Sequence, residues 1–286
     1  MRYFATLHSG IADDNPLMLA PFVWECRVFD SVEDLQSKIK TYRELNPNGI
    51  VGCCRSALYF RAREVDTTQP KSFSADNVPD DWKLRDVEGN LMTYPGHDDQ
   101  HIYDYGNPAA RARFVLEAVQ TASEFGMDAI CWDNCRYNIR SGDLTVPPVT
   151  STIGYRETTV HFIEFFKFCR QAADAYGLKV FANVTPSASI SIPDAIDAFI
   201  PFLDGIMFEG AFSPKVQRDP GLCMRERIGY LTALDQGKMV ALFPYTNDCL
   251  PFLANYMWQE FIDFPDKFLI CNKGTFQADS GWMVDK

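Results

Sequence analysis

Two stretches of the chain share one form: a short apolar run that stops on a carboxylate. In Phe125-Gly126-Met127-Asp128-Ala129-Ile130-Cys131-Trp132-Asp133-Asn134 the run Ala129 to Trp132 follows a helix-ending glycine and ends on Asp133 and Asn134. In Phe202-Leu203-Asp204-Gly205-Ile206-Met207-Phe208-Glu209-Gly210 the run ends on Glu209. Runs of this length, apolar on both faces, are expected of buried parallel strands, and each delivers polar groups at its C-terminal tip. Asp133 as a cap for the following turn is the alternative.

Amphipathic stretches alternate with such runs along the rest of the chain. One of Tyr3 to Leu7 and Leu17 to Cys26 is expected to be the first strand. Ser31 is placed as an N-cap, with Leu35, Ile39 and Tyr42 on one helical face, and Ile50 to Tyr59 follows as a strand. Residues 61–100 are expected to be mostly loop, and His101 to Tyr105 a short third barrel strand ending near Asp104. Asn107-Pro108 suits a helix start, with Phe114, Val115, Ala118, Val119 and Ala122 as its buried stripe. The Asp133 strand counts as the fourth. A polar loop from Arg136 to Thr158 and a helix to Tyr176, closed by Gly177, lead to a fifth strand ending on Asn183. A helix from Asp194 to Phe199 leads to the sixth, which ends on Glu209. Helices at Met224 to Leu234 and Pro251 to Phe264 precede strands at Lys238 to Tyr245 and Lys267 to Cys271. Eight strands alternating with helices predict a single (β/α)8 barrel spanning residues 1–286. A doubly wound open sheet is the runner-up, and it would need a glycine-rich dinucleotide fingerprint that the sequence lacks.

Composition narrows the function. With 47% hydrophobic and 23% charged residues in a chain of 286, the core is ample. A net charge of −11 without a basic cluster argues against nucleic-acid or anionic-membrane binding and leaves neutral or cationic ligands. The nine cysteines are scattered, many inside apolar runs, and no CxxC pair or Cys/His cluster points to zinc. Of the four histidines, His161 falls in a helix, while His97 and His101 flank Asp98 and Asp99 in what is expected to be a solvated loop. No metal or cofactor is expected. Met1-Arg2-Tyr3-Phe4 lacks the apolar core of a signal peptide, and no apolar run approaches the ~18 residues of a membrane span. A cytoplasmic protein is therefore expected, or a secreted one if a leader has been removed. Nothing in the sequence addresses its oligomeric state.

In a (β/α)8 barrel the site forms at the C-terminal strand ends, which brings Asp104, Asp133, Asn134, Asn183 and Glu209 into one set. Strands four and six lie one strand apart, so roughly 10 Å separates their backbones, and inward-leaning side chains come closer. Retaining cleavage of a glycosidic bond needs two carboxyls about 5 to 5.5 Å apart, one to attack the anomeric carbon and one to protonate the leaving oxygen. Trp82, Tyr105 and Trp132 are candidate sugar-stacking faces, and Asn134 and Asn183 candidate polar grips. For Trp82 the alternative is a side chain that pins the loop down.

From Trp82-Lys83-Leu84-Arg85-Asp86-Val87-Glu88-Gly89, through Tyr103-Asp104-Tyr105-Gly106-Asn107-Pro108 and the Asp133 stretch, to Asp204-Gly205-Ile206-Met207-Phe208-Glu209, the chain resembles glycoside-hydrolase-like TIM barrels. It is similar to the hypothetical glycosyl hydrolases and, more distantly, to the endo-α-1,4-polygalactosaminidases. The resemblance covers roughly residues 80 to 210. It implies a nucleophile at Asp133 and an acid/base at Glu209, and the same placement in α-galactosidase-like barrels implies an α-linked or equivalently oriented sugar. The expected activity is glycoside hydrolysis of an oligo- or polysaccharide by a two-carboxylate, retaining route. A carbohydrate-binding barrel without turnover and a non-glycosidase barrel enzyme are the alternatives. Sugar, linkage and exo or endo mode are not legible.

Overall fold

The computed structural model describes residues 2–7, 22–25, 32–57, 59–61, 78–85, 89–94, 97–104, 106–133, 135, 155–184, 198–209, 218–243 and 268–270. Eight parallel strands close a barrel in chain order: β1 (Arg2–Leu7), β2 (Phe22–Glu25), β3 (Ile50–Ser56), β7 (Ala129–Asp133), β8 (Lys179–Asn183), β9 (Gly205–Glu209), β10 (Met239–Phe243) and β11 (Phe268–Ile270). Closure is made by Arg2 and Tyr3 pairing with Leu269 and Ile270. Helices α1 (Val32–Leu45), α2 (Pro108–Glu124), α3 (Tyr155–Ala175) and α4 (Pro220–Asp235) lie in the connections between strands. The expected helix at 251–264 and most of the expected loop from Arg136 to Thr158 fall outside the described residues, and α3 takes up the last residues of that loop by starting at Tyr155.

Alternation along the strands divides the interior into two parts. Ala129, Cys131, Phe181, Met207 and Ala241 fill the barrel itself, against Ile50, Cys54 and Met239. Ile130, Trp132, Val180, Ala182, Ile206, Phe208, Val240 and Leu242 face outward and join the larger core under the helices. Gly205 is required at the barrel floor, because a Cβ there would lie 2.7 Å from both the Met239 carbonyl oxygen and the Phe181 ring.

The helices begin and end on local chemistry. Asn107 caps α2, its side chain accepting from the Ala109 and Ala110 amides, with Pro108 in the first turn. Gly177 ends α3 with φ +68°, a left-handed conformation that lets the Leu178 amide reach back to the Ala173 carbonyl. The buried stripe of α3 is Phe162, Phe165, Phe166, Cys169 and Ala173, spaced three and four apart.

At two places around the barrel floor the same clamp recurs. Asp128, just before β7, accepts from the Val51 amide at 2.9 Å and pairs with Arg43 of α1 at 2.8 Å. Asp204, just before β9, accepts from the Val180 amide at 2.8 Å and pairs with Arg170 of α3. In each case an aspartate preceding one strand ties down the first amides of its neighbour, and an arginine on the helix leading into that neighbour holds the aspartate. These two carboxylates are structural, at the opposite end from Asp133 and Glu209.

Two expectations about strands are corrected. Both N-terminal candidates are barrel strands, β1 and β2, and the third strand is β3, which leaves no place in the barrel for the segment ending near Asp104. That segment is β6 (His97–Ile102), the centre of a separate antiparallel sheet with β4 (Tyr59–Arg61) and β5 (Thr93–Tyr94). Its sequence, HDDQHI, is mostly polar, whereas a barrel strand is covered on both faces and must be apolar nearly throughout. The described residues between 61 and 100 thus include strands and buried side chains. Val78, Leu84, Met92 and Ile102 bury their side chains, and the Leu84 and Ile102 amides bond the Ile102 and Met92 carbonyls. This excursion is inserted between β3 and α2, a strand-to-helix connection, and so belongs to the C-terminal end of the barrel.

Candidate active site

β7 and β8 run side by side with Trp132 opposite Ala182, which brings Asp133 level with Asn183 at the strand tips. The two meet: Asn183 Nδ2 donates to Asp133 Oδ1 at 2.7 Å. Asp133 is partly exposed and Asn183 is only 1% exposed, so the amide is a buried support and the carboxylate the group that reaches the opening. Both alternate with the barrel-filling Cys131 and Phe181 and stand one layer above them. On the other side Ser56, at the end of β3, pairs in register with Asp133, and the Ala57 amide donates to the Asp133 carbonyl at 2.7 Å.

The backbone beyond β7 is tied in as well. The Cys135 amide donates to the Asn183 carbonyl at 3.2 Å and the Cys135 thiol to the Trp132 carbonyl at 3.1 Å. Burial, and then the Asp133 charge, push the Cys135 thiol well above its usual range. Cys131, one layer below, is held protonated by burial too. Buried and protonated, these two thiols are poor nucleophiles.

Glu209 ends β9, two residues beyond Met207 and in register with Phe243 of β10. It stands in the barrel-facing alternation of its strand, with β8 between it and Asp133. At about 4.8 Å per neighbouring strand the two backbones are roughly 10 Å apart. Its side chain lies outside the described set, as do Tyr105 and Asn134.

Three of the expected sugar contacts are placed differently. Trp132 is fully buried on the helix side of β7, its ring 5.7 Å from that of Phe114 and 4.9 Å from that of Phe165, so it is core and offers no face to a ligand. The correction follows from the pleat: if Asp133 faces the barrel, its neighbour must face the helices. Asp104 is off the barrel, in the turn into α2, where its Oδ1 accepts from the Gly106 amide at 2.8 Å. Trp82 sits in a single 3-10 turn, Asp80–Trp82, packs on the main core, and has the Arg113 guanidinium 5.9 Å from its ring centroid. Those contacts are the ones a loop anchor makes. Among the described residues no group of three or more His, Cys, Asp or Glu is placed to hold a metal, and no helix is long and apolar enough to cross a membrane.

A closed barrel with an aspartate ending its fourth strand and a glutamate ending its sixth can be compared with known structures. No family model and no curated protein matches the chain. Solved structures do. The glycoside hydrolase domain of PelA from Pseudomonas aeruginosa superposes with a TM-score of 0.57 at 11% identity, covering 94% of this chain and 92% of that one. Ega3 from Aspergillus fumigatus, solved in complex with galactosamine, gives 0.55 at 15% identity over 95% and 90%. The noncanonic maltogenic α-amylase AmyB from Thermotoga neapolitana gives 0.51 at 15% identity over 96% and 67%. The fold is a glycoside-hydrolase-like TIM barrel. At such identities the likeness is one of fold, and the residues that carry chemistry must be argued from this chain.

Sequence reasoning did not place Ser56 and Cys135 beside Asp133, and it took Asn183 as a grip on the sugar without its bond to Asp133. Ser56 had a signal, as the polar end of an apolar strand. The Asn183 contact had none, since it depends on the relative register of β7 and β8.

Proposed function

We propose that the protein is a glycoside hydrolase that cleaves an oligo- or polysaccharide by a retaining mechanism, with Asp133 as nucleophile and Glu209 as acid/base. The observation that carries this reading is the Asp133 carboxylate at the mouth of the barrel, bonded to a buried amide, with a glutamate ending the next strand but one. In the first step Asp133 attacks the anomeric carbon and the bond to the leaving oxygen breaks, while Glu209 gives that oxygen its proton. In the second, Glu209 takes a proton from water, which attacks the same carbon and frees the Asp133 carboxylate.

The fold shared with glycoside hydrolases supports this assignment. The net charge of −11 and the galactosamine bound in Ega3 favour neutral and amino sugars as the first substrates to test. The test is a panel of aryl glycosides and polysaccharides, including de-N-acetylated ones. Asp133→Asn is expected to lose turnover on every substrate. Glu209→Gln is expected to retain it on dinitrophenyl glycosides or glycosyl fluorides, whose leaving groups need no proton. Binding without hydrolysis by the parent protein would favour a carbohydrate-binding barrel instead.

A further inference from the structure

Asn183 is a polar side chain in a nearly water-free position, 1% exposed, and a buried amide is costly there unless its groups are bonded. Its Nδ2 lies 2.7 Å from Asp133 Oδ1, and its backbone carbonyl takes the Cys135 amide. An ionised carboxylate can only accept, so this bond favours the anion and fixes its plane. We propose that Asn183 is a positioning residue: it sets the orientation of the Asp133 carboxylate and keeps it ionised at the pH where the companion acid carries a proton. The inference rests on the nucleophilic role proposed for Asp133.

Among the described residues, the other titratable groups around the pair do not take over this task. Cys135 follows Asp133, Cys131 and Cys54 lie one layer below on β7 and β3, and Cys169 approaches from α3. Burial holds Cys131, Cys135 and Cys169 protonated. Arg55 registers with Trp132, on the alternate of β3 that faces away from the barrel. Glu209, at the tip of β9, is the companion acid itself.

Asn183→Asp would put two carboxylates on one contact, and at that separation they share a proton. On an aryl glycoside that the parent turns over, the acid limb of kcat/KM is expected to move up by about one pH unit or more. Asn183→Ala is expected to lower kcat about 10- to 100-fold with KM little changed, because the nucleophile is misplaced while the rest of the sugar site is intact. A second readout needs no substrate: unfolding of the parent, Asp133→Asn, Asn183→Asp and the double exchange Asp133→Asn/Asn183→Asp at pH 5 and 8. In Asn183→Asp the shared proton raises the folded-state value above the unfolded one. Stability is therefore present at low pH and lost as pH rises, and the midpoint should fall from pH 5 to pH 8 relative to the parent. The exchange reverses the direction of the bond and is expected to regain most of that midpoint.

If the two single effects simply add in the exchange, and Asn183→Asp keeps the parent's pH profile, the positioning role is overturned alone. Coupling in the exchange together with full hydrolysis by Asp133→Asn would remove the nucleophilic reading, and the positioning role with it.

Discussion

Trp132 and Asp133 are neighbours in sequence and opposite in duty, the ring closing the core beneath α2 and α3 while the carboxylate faces the barrel. Trp132→Ala is expected to cost about 3 to 5 kcal/mol in denaturant unfolding, as the loss of a large buried ring does, and Trp132→Phe much less. For either variant that remains folded, KM is expected to equal the parent's. A KM raised severalfold with unchanged stability would return Trp132 to the sugar site. The facing of Trp132 was legible from the pleat once Asp133 was assigned to the barrel side. The partnership of Asp133 with Asn183 was not, because it joins residues 50 apart and depends on how two strands slide past each other.

At the scale of elements, the clamps formed by Asp128 and Asp204 explain why each critical apolar run is preceded by an aspartate. Asp204 answers the Val180 amide and the Arg170 guanidinium together. The ion pair is partly exposed and contributes only about 0 to 1 kcal/mol, whereas leaving the strand amide without an acceptor costs about 1 to 3. Asp204→Ala is therefore expected to lower the urea midpoint clearly, with the m-value unchanged, while Asp204→Asn, which keeps an acceptor oxygen, loses less than half as much. Equal losses would mean that charge, not the amide bond, holds β8. The strands β7, β8 and β9 were legible because their apolar runs end on a polar residue at the barrel mouth. β6 was misassigned because a short segment flanked by turn residues looks like any strand, and only its polarity says that it cannot be covered on both faces.

For the whole molecule, the barrel gathers protonated thiols and a buried phenol. Burial pushes Cys131, Cys135 and Cys169 well above 9.0, and burial with the Asp128 charge pushes Tyr42 above 10.0. With folded-state values raised, stability is fully present below the unfolded values and lost as pH climbs past them. Each group contributes up to about 1.4 kcal/mol per pH unit in that window. The urea midpoint is expected to be flat near pH 7.5 and to fall steeply above pH 9; a midpoint unchanged to pH 10 would contradict the burial of these groups. The barrel count was legible in the chain, since eight strands were expected and eight are found, but only one of the two N-terminal strands was counted and the segment ending near Asp104 was taken in its place. The central claim is the division of labour between Asp133 and Glu209, and azide rescue tests it most directly. With Glu209→Ala and an activated aryl glycoside, added azide is expected to restore turnover and yield a glycosyl azide with the substrate's anomeric configuration, read by NMR. Rescue of Asp133→Ala instead, with the inverted azide as product, would contradict it.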